Sequence, residues 1–279
     1  MTDGSPVPAD LGAVMAVYGG VAPDHLRRAL ASLVEQTRPA DDVVVVEDGP
    51  LGPALSGVLD RAERELPLRR VVLPTNRGAG PARQAGLREL TSRWVAVADA
   101  DDVSLPRRFA VQLAWLEESG DTAVGAAMAE FEGAEENVTG VRRLPSEHDE
   151  IARLLTMNNP VNHPTLIVDR RQALAVGGYP DLPYLEAYDL IARLVASGAR
   201  MHNLPDVLVR FRAGAVQLRR RRSKGVLGSE LTLQRNLRRY GLIGRPTAAR
   251  NVVLRTAYRT VPAPLRHRIY GRLFLRRRP

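Results

Sequence analysis

With 279 residues, 44% hydrophobic and 25% charged, the chain can bury a real core and fits one large domain or one domain with an appendage. It has no cysteine, which excludes a disulfide framework and any thiolate zinc site. The net charge of +9 hides an asymmetry: residues 215–279 hold 18 Lys and Arg against the single acid Glu230, so residues 1–214 keep 22 bases against 30 acids. The opening MTDGSPVPAD carries acids and prolines where a secretory signal needs a basic start and an apolar run, so no cleaved signal is expected. No window approaches the roughly 18–20 apolar residues of a membrane span.

In chain order, the first predicted strand is Ala13–Tyr18, followed by a helix over Asp24–Gln36 with Leu26, Leu30, Leu33 and Val34 on one face. Strands follow at Val43–Glu47 and Arg70–Leu73. The β-branched run Val43-Val44-Val45-Val46 fits a central strand buried on both faces. Asn76–Leu90 leaves the third strand through small residues and enters a helix carrying Arg83. A fourth strand, Trp94–Ala98, precedes a helix at Leu105–Glu118 with Asp102 in its N-cap region, and a fifth strand covers Ala123–Phe131. A helical stretch Asp149–Thr156, a turn at Gly177-Gly178 and a helix over Tyr184–Ser197 come next. Met201–Gly214 reads as two short strands split by Pro205. Val226–Tyr240, Pro246–Arg259 and Pro264–Arg276 read as three basic amphipathic helices. Strands alternating with helices predict an α/β fold, a mostly parallel central sheet covered on both faces. The boundary falls near residue 214, between a 1–214 domain and a basic helical extension over 215–279.

In such sheets ligands bind beyond the carboxyl ends of the strands. Tyr18-Gly19-Gly20, Glu47-Asp48-Gly49, Asn76-Arg77-Gly78 and Asp99-Ala100-Asp101 all follow strands and should meet at one edge. The stretch ADADD packs Asp99, Asp101 and Asp102 into four positions, where like charges repel unless a cation or donors sit among them. Asp99 and Asp101, two apart on extended backbone, point to one side and suit a hard divalent cation such as Mg²⁺ or Mn²⁺. A solvated acidic loop is the plainer alternative. Gly78-Ala79-Gly80-Pro81-Ala82-Arg83 sets a helix N-terminus and a guanidinium together, favourable for an anion but a weak dinucleotide fingerprint.

The segments AVMAVYGG, ASLVEQTRPADDVVVVEDGP, NRGAGPARQAGL, WVAVADADD, NHPTLIVDRRQALAVGGY and YLEAYDLIARL stand in the order and spacing of the family 2 inverting glycosyltransferases of the GT-A fold. The chain resembles those of exopolysaccharide and lipopolysaccharide synthesis over roughly residues 11–214. The resemblance implies a nucleoside-diphosphate sugar donor, a divalent cation and a glycan or lipid-linked acceptor. It places Ala16, Val17 and Tyr18 in the nucleotide pocket with Glu47 or Asp48 at the base or ribose, Asn76 on the same rim, and Arg83 near base and phosphates. Asp99 and Ala100 would approach the ribose or metal, Asp101 would be the main metal ligand, and His163 would lie near the diphosphate or acceptor. His163 has an equally plain reading as a histidine fixing a loop. Gly177, Gly178 and Tyr179 would form the turn before the acceptor-side helix.

One departure matters. Relatives usually read Glu-Asp-Tyr-Asp where this chain has Glu186-Ala187-Tyr188-Asp189, and the first Asp is the one that resembles a general base. Ala187 accepts no proton, so Glu186 is the favoured substitute and Asp189 the second, with an ion pair to Arg193 as its plain alternative. A sugar-1-phosphate nucleotidyltransferase and a non-catalytic nucleotide-sugar-binding relative are the competing functions. The basic extension suggests a cytoplasmic protein held peripherally at an anionic surface on the inner face of the membrane. Packing on the acidic body and nucleic-acid binding are the rivals, the latter unlikely for want of aromatic platforms.

Overall fold

The computed structural model describes residues 11–213, 226–260 and 275–276. Strand β1 (Leu11–Val17) lies between β2 (Asp42–Asp48) and β4 (Trp94–Asp99), and β3 (Leu68–Leu73) extends the sheet beyond β2, all in parallel. Helices α1 (Pro23–Val34), α2 (Pro53–Ala62) and α3 (Ala79–Glu89) make the crossovers. Successive side chains of a strand face opposite sides. Ala13, Met15, Val17, Val43 and Val45 therefore join one core with Leu26, Leu30, Leu33 and Leu59. Val14, Val44 and Val46 join a second core with Leu87 and Leu90. The continuous valine run of β2 is thus buried on both faces, as its composition predicts.

Beyond β4 the sheet changes character. After the two-residue β5 (Val103–Ser104) and α4 (Arg108–Ser119), β6 (Ala123–Phe131) is followed by β7 (Val138–Arg142) and α5 (His148–Leu155). A 3-10 turn at His163–Thr165 delivers β8 (Ile167–Asp169), which inserts antiparallel between β4 and β6. Parallel pairing therefore rules β3-β2-β1-β4, whereas β8, β7 and β5 pair antiparallel with their neighbours. A three-residue apolar strand carries no signal of its direction, so the sequence could not reveal this reversal.

Helix α6 (Arg170–Ala175) ends at Gly177 and Gly178, both with positive φ, and α7 (Glu186–Ala196) leads into β9 (Met201–Arg212). Two strands split by Pro205 were expected here. Instead β9 is one strand parallel to β6, with Leu204 opposite Ala126 and Val207 opposite Ala127. Pro205 and Asp206 bulge outward to solvent, which lets a residue without an N–H sit in the strand without breaking it.

In the extension, α8 (Val226–Arg239) and α9 (Arg245–Thr260) match two of the three expected helices. Most of the third lies outside the described residues. Leu275–Arg276, inside that expected helix, are a strand, β10, antiparallel to β7. The expected α4 start also moves: Asp102 is no N-cap, because β5 intervenes and the helix begins at Arg108.

Gly86 on α3 sets how closely the helix approaches the sheet. A Cβ there would lie 2.5 Å from Val14 Cγ2 and 3.0 Å from Val46 Cγ2. Gly86→Val is expected to lower unfolding free energy by about 1–3 kcal/mol through overpacking, read as a lower urea midpoint at unchanged slope. An unshifted midpoint would contradict this packing.

Candidate functional site

A cleft of about 490 Å³ opens at the carboxyl ends of β1, β2 and β4. Ala16, Val17 and Tyr18 from β1 and its loop, Asp48 from β2, Arg83 from α3, and Asp99, Ala100 and Asp101 from β4 all line it. Eight of the residues expected at the donor site thus converge from four segments far apart in sequence. Glu47 and Asn76 are not among the lining residues. Glu47 is buried in an ion pair with Arg70 at 2.6 Å, and Arg70 also holds Asp60 at 2.8 Å. Asn76 is exposed beyond the end of β3.

Asp48 shapes the rim as well as lining it. Its Oδ1 and Oδ2 accept from the amides of Arg77 and Gly78 at 2.6 and 2.9 Å, tying the end of β2 to the loop that starts α3. Gly49 is needed beside it: φ is +86°, and a Cβ would stand 2.7 Å from the amide nitrogen of Asn76.

The three crowded aspartates are handled in three ways. Asp99 Oδ1 accepts from Arg83 Nη2 at 2.6 Å. Burial opposes the Asp99 charge, but Arg83 outweighs it and holds the carboxyl below its ordinary pKa. Asp102 is buried, with Oδ1 accepting from the Arg212 amide at 2.8 Å and Oδ2 lacking a hydrogen-bond partner. Burial and then its two aspartate neighbours push its pKa well up. Asp101 lines the cleft, and no ion pair among the described residues neutralises it. Burial, then the charge of Asp99, raises its pKa to about 6.

That unpaired, destabilised carboxylate fits a cation. Among the described residues no group of three or more His, Asp and Glu is assembled to hold one. Mg²⁺-type sites that use one or two carboxylates and complete their shell with phosphate oxygens and water need no such group.

Arg83 is the electrostatic centre. Its Nη1 donates to Glu186 Oε1 at 3.1 Å while Nη2 holds Asp99, and its pKa is raised because the two carboxylates and Tyr179 outweigh burial. Glu186, first residue of α7, is buried against Arg83 and is not itself among the residues lining the cleft, and its Oε2 has no hydrogen-bond partner. Gly80 permits this approach, since a Cβ there would collide with the Pro180 carbonyl and lie 3.1 Å from Glu186 Cβ.

The other two expected catalytic groups do not line the cleft either. Asp189 is buried on the side of α7 that meets α8. It accepts from Arg193 Nε at 2.8 Å, Asn236 Nδ2 at 2.8 Å and the Tyr240 hydroxyl at 3.1 Å. With these partners it is the ion-pair residue of the plain reading and does not reach the cleft. His163 Nε2 hydrogen-bonds the Tyr179 hydroxyl at 2.9 Å, and burial, then Arg83, lowers its pKa to about 3. It is a neutral ring in the turn that feeds β8. Gly178 beside Tyr179 has φ +67°, and the Tyr179 amide donates to Gln84 Oε1 at 2.7 Å, which docks the glycine turn onto α3.

Sequence reasoning missed Val21, Ala22, His25, Gly133, Arg212 and Ala213, which also line the cleft. His25 follows β1 by one short loop, so the strand-end rule was able to find it. Burial, then Arg212, lowers its pKa. Arg212 ends β9, more than 100 residues from Asp101. It donates from Nε to the Asp101 carbonyl at 3.1 Å and stacks on Phe131 at 4.5 Å. No local pattern announces such a contact.

Comparison with known proteins gives the family and the fold. Residues 13–177 match the family described as glycosyl transferase family 2. A Haemophilus influenzae protein named only as an uncharacterized glycosyltransferase is 36% identical over 95% of this chain and 98% of its own. The amylovoran biosynthesis glycosyltransferase AmsE of Erwinia amylovora is 36% identical over 80% of this chain and 83% of its own. An Escherichia coli protein named UDP-Gal:alpha-D-GlcNAc-diphosphoundecaprenol beta-1,3-galactosyltransferase is 28% identical over 94% and 96%. Among solved structures, S. aureus TarS 1-349 in complex with UDP-GlcNAc superposes with a TM-score of 0.67 at 17% identity, over 81% of this chain and 66% of that one. The mannosyltransferase PcManGT of Pyrobaculum calidifontis, in complex with GDP-Man and Mn²⁺, gives 0.59 at 20% identity, over 95% and 80%. These structures share the fold. The extent of the family match, and relatives aligned over nearly their full length, establish that the chain belongs to the family 2 glycosyltransferases.

Proposed function

We propose that the chain transfers a sugar, with inversion, from a nucleoside-diphosphate donor to a hydroxyl of a glycan or lipid-linked acceptor in cell-surface polysaccharide synthesis. The observation that carries this reading is the Asp101 carboxylate, unpaired in a cleft whose walls come from β1, β2 and β4 and whose floor holds the Arg83 guanidinium. Support for the donor comes from the two structural neighbours, which hold UDP-GlcNAc and GDP-Man with Mn²⁺. The E. coli relative is named for a diphosphoundecaprenol acceptor and the Erwinia relative for a polysaccharide, which supports the acceptor class.

Asp101, with Asp99 beside it, is the set that would hold the divalent cation. A bound cation supplies Lewis-acid stabilisation of charge developing on a leaving diphosphate. Arg83 keeps Asp99 ionised and adds positive potential at the same end of the cleft. Ala16, Val17 and Tyr18 provide an apolar wall with one aromatic ring, suited to a nucleoside, and Asp48 offers acceptor oxygens at its edge.

Inverting transfer requires a group that takes the acceptor's proton. Ala187 offers none, and Asp189 is saturated by Arg193, Asn236 and Tyr240. Glu186 is the remaining α7 carboxylate, and its Oε2 carries no hydrogen bond. We assign it the base.

Three outcomes test the reading. Asp101→Ala is expected to abolish the Mn²⁺-dependent rise in melting temperature that a nucleoside diphosphate gives the parent protein, since only native-state binding stabilises. An undiminished rise removes the cation site. Glu186→Gln is expected to leave that rise intact while lowering turnover by about 10²–10⁴-fold, the usual contribution of a general base; full turnover reassigns the base. Arg83→Met leaves Asp99 and Glu186 buried without their cation and is expected to cost about 3–5 kcal/mol in urea unfolding. A loss below about 1 kcal/mol would show that the carboxylates find other partners.

A further inference from the structure

The inward sides of α8 and α9 are fully engaged. Leu233 and Leu237 are buried in the core shared with α7, and Asn236 and Tyr240 bond Asp189. Asn251 donates to the Thr156 carbonyl and to Gln234, while Arg255 bridges buried Glu230 and the Met157 carbonyl. The outward sides are different in kind. Leu227, Leu231, Val253 and Leu254 are 50, 38, 65 and 59% exposed, half of the large exposed hydrophobics among the described residues. On α8, Leu227, Leu231, Arg235 and Arg238 recur at four- and three-residue steps and form one stripe.

Among the residues of the two helices whose side chains are described, every exposed charge is an arginine: 235, 238, 239, 245 and 250. None of the five makes an ion pair among the described residues. The only acid in residues 215–279, Glu230, is wholly buried and neutralised by Arg255 at 3.0 Å. Aliphatic side chains exposed among unpaired arginines on an acid-free face complement an anionic surface that also has an apolar interior. A second copy of the same face would set arginine against arginine. A nucleic acid would gain nothing from exposed Leu and Val. No described helix is long and apolar enough to cross a membrane, so contact of this kind lies along the surface.

We propose that the outward face of the α8–α9 hairpin docks on an anionic lipid bilayer, with Leu227, Leu231, Val253 and Leu254 entering the acyl boundary and the arginines at headgroup level. The inference stands on the hairpin and does not depend on the sugar-transfer reading.

Flotation of the full chain with phosphatidylcholine vesicles, with and without phosphatidylglycerol, tests it. Partition onto the anionic vesicles alone is expected, weakening as salt rises. Arg235→Gln with Arg238→Gln should lower that partition about 25-fold, fivefold for each arginine. Leu231→Ser with Val253→Ser should lower it as well. The melting temperature of each variant serves as the folding control, and its response to nucleoside diphosphate with Mn²⁺ should match the parent's. A parent that ignores the nucleotide yet floats keeps the docking face and sinks only the transferase reading. Equal flotation on neutral vesicles, no flotation, partition unchanged in both variants, tighter binding to duplex DNA, or a change in sedimenting mass in place of lipid partition would each overturn the docking face.

Discussion

The site depends on one guanidinium. Arg83 is buried between Asp99, which ends β4, and Glu186, which begins α7, and it joins the two halves of the molecule at the cleft. Buried carboxylates without a counter-charge would protonate or pull apart, and a buried guanidinium without carboxylates would be as costly. The three groups are tolerable only together. The close approach is made possible by Gly80, where any side chain would strike the segment ahead of α7. Backbone geometry on α3 thus sets an electrostatic contact more than 100 residues away.

The same logic explains the crowding of acids after β4. Asp99 is paired with Arg83 and Asp102 with the amide of Arg212, while Arg108 runs beneath them, bonding the Val97 carbonyl and Ser104. Burial lowers the pKa of Arg108 to about 9, and the charges of Asp99 and Asp102 oppose that fall. Two of the three aspartates are therefore structural as well as polar. Asp99 and Asp101 both line the cleft, and of the two only Asp101 enters it without an ion pair among the described residues.

The parallel half of the sheet was legible because its signals are local: short runs of β-branched and other apolar residues, each followed by a turn of polar residues, glycine or proline. That pattern located β1, β2, β3 and β4 to within about two residues, and with them Tyr18, Asp48, Asp99 and Asp101. Legibility failed where contacts are long-range. Nothing around Ile167–Asp169 states that β8 runs antiparallel, and nothing near Arg212 indicates that it closes a cleft built from β1 and β4. Glu186 and Asp189 share helical spacing, yet one meets α3 and the other meets α8, a division set by the packing of the extension and invisible in α7 itself. Ala187 was visible at once, because a missing carboxylate is a property of a single position.

The contact of α7 with α8 reaches beyond the site. Asp189 takes hydrogen bonds from Asn236 and Tyr240, and Leu233 and Leu237 fill the core between the same helices. A polar clasp set inside an apolar seam cannot open one bond at a time without wetting its neighbours. The first basic helix should therefore melt in the same cooperative transition as the central sheet, its amides exchanging with solvent as slowly as those of the helix it grips.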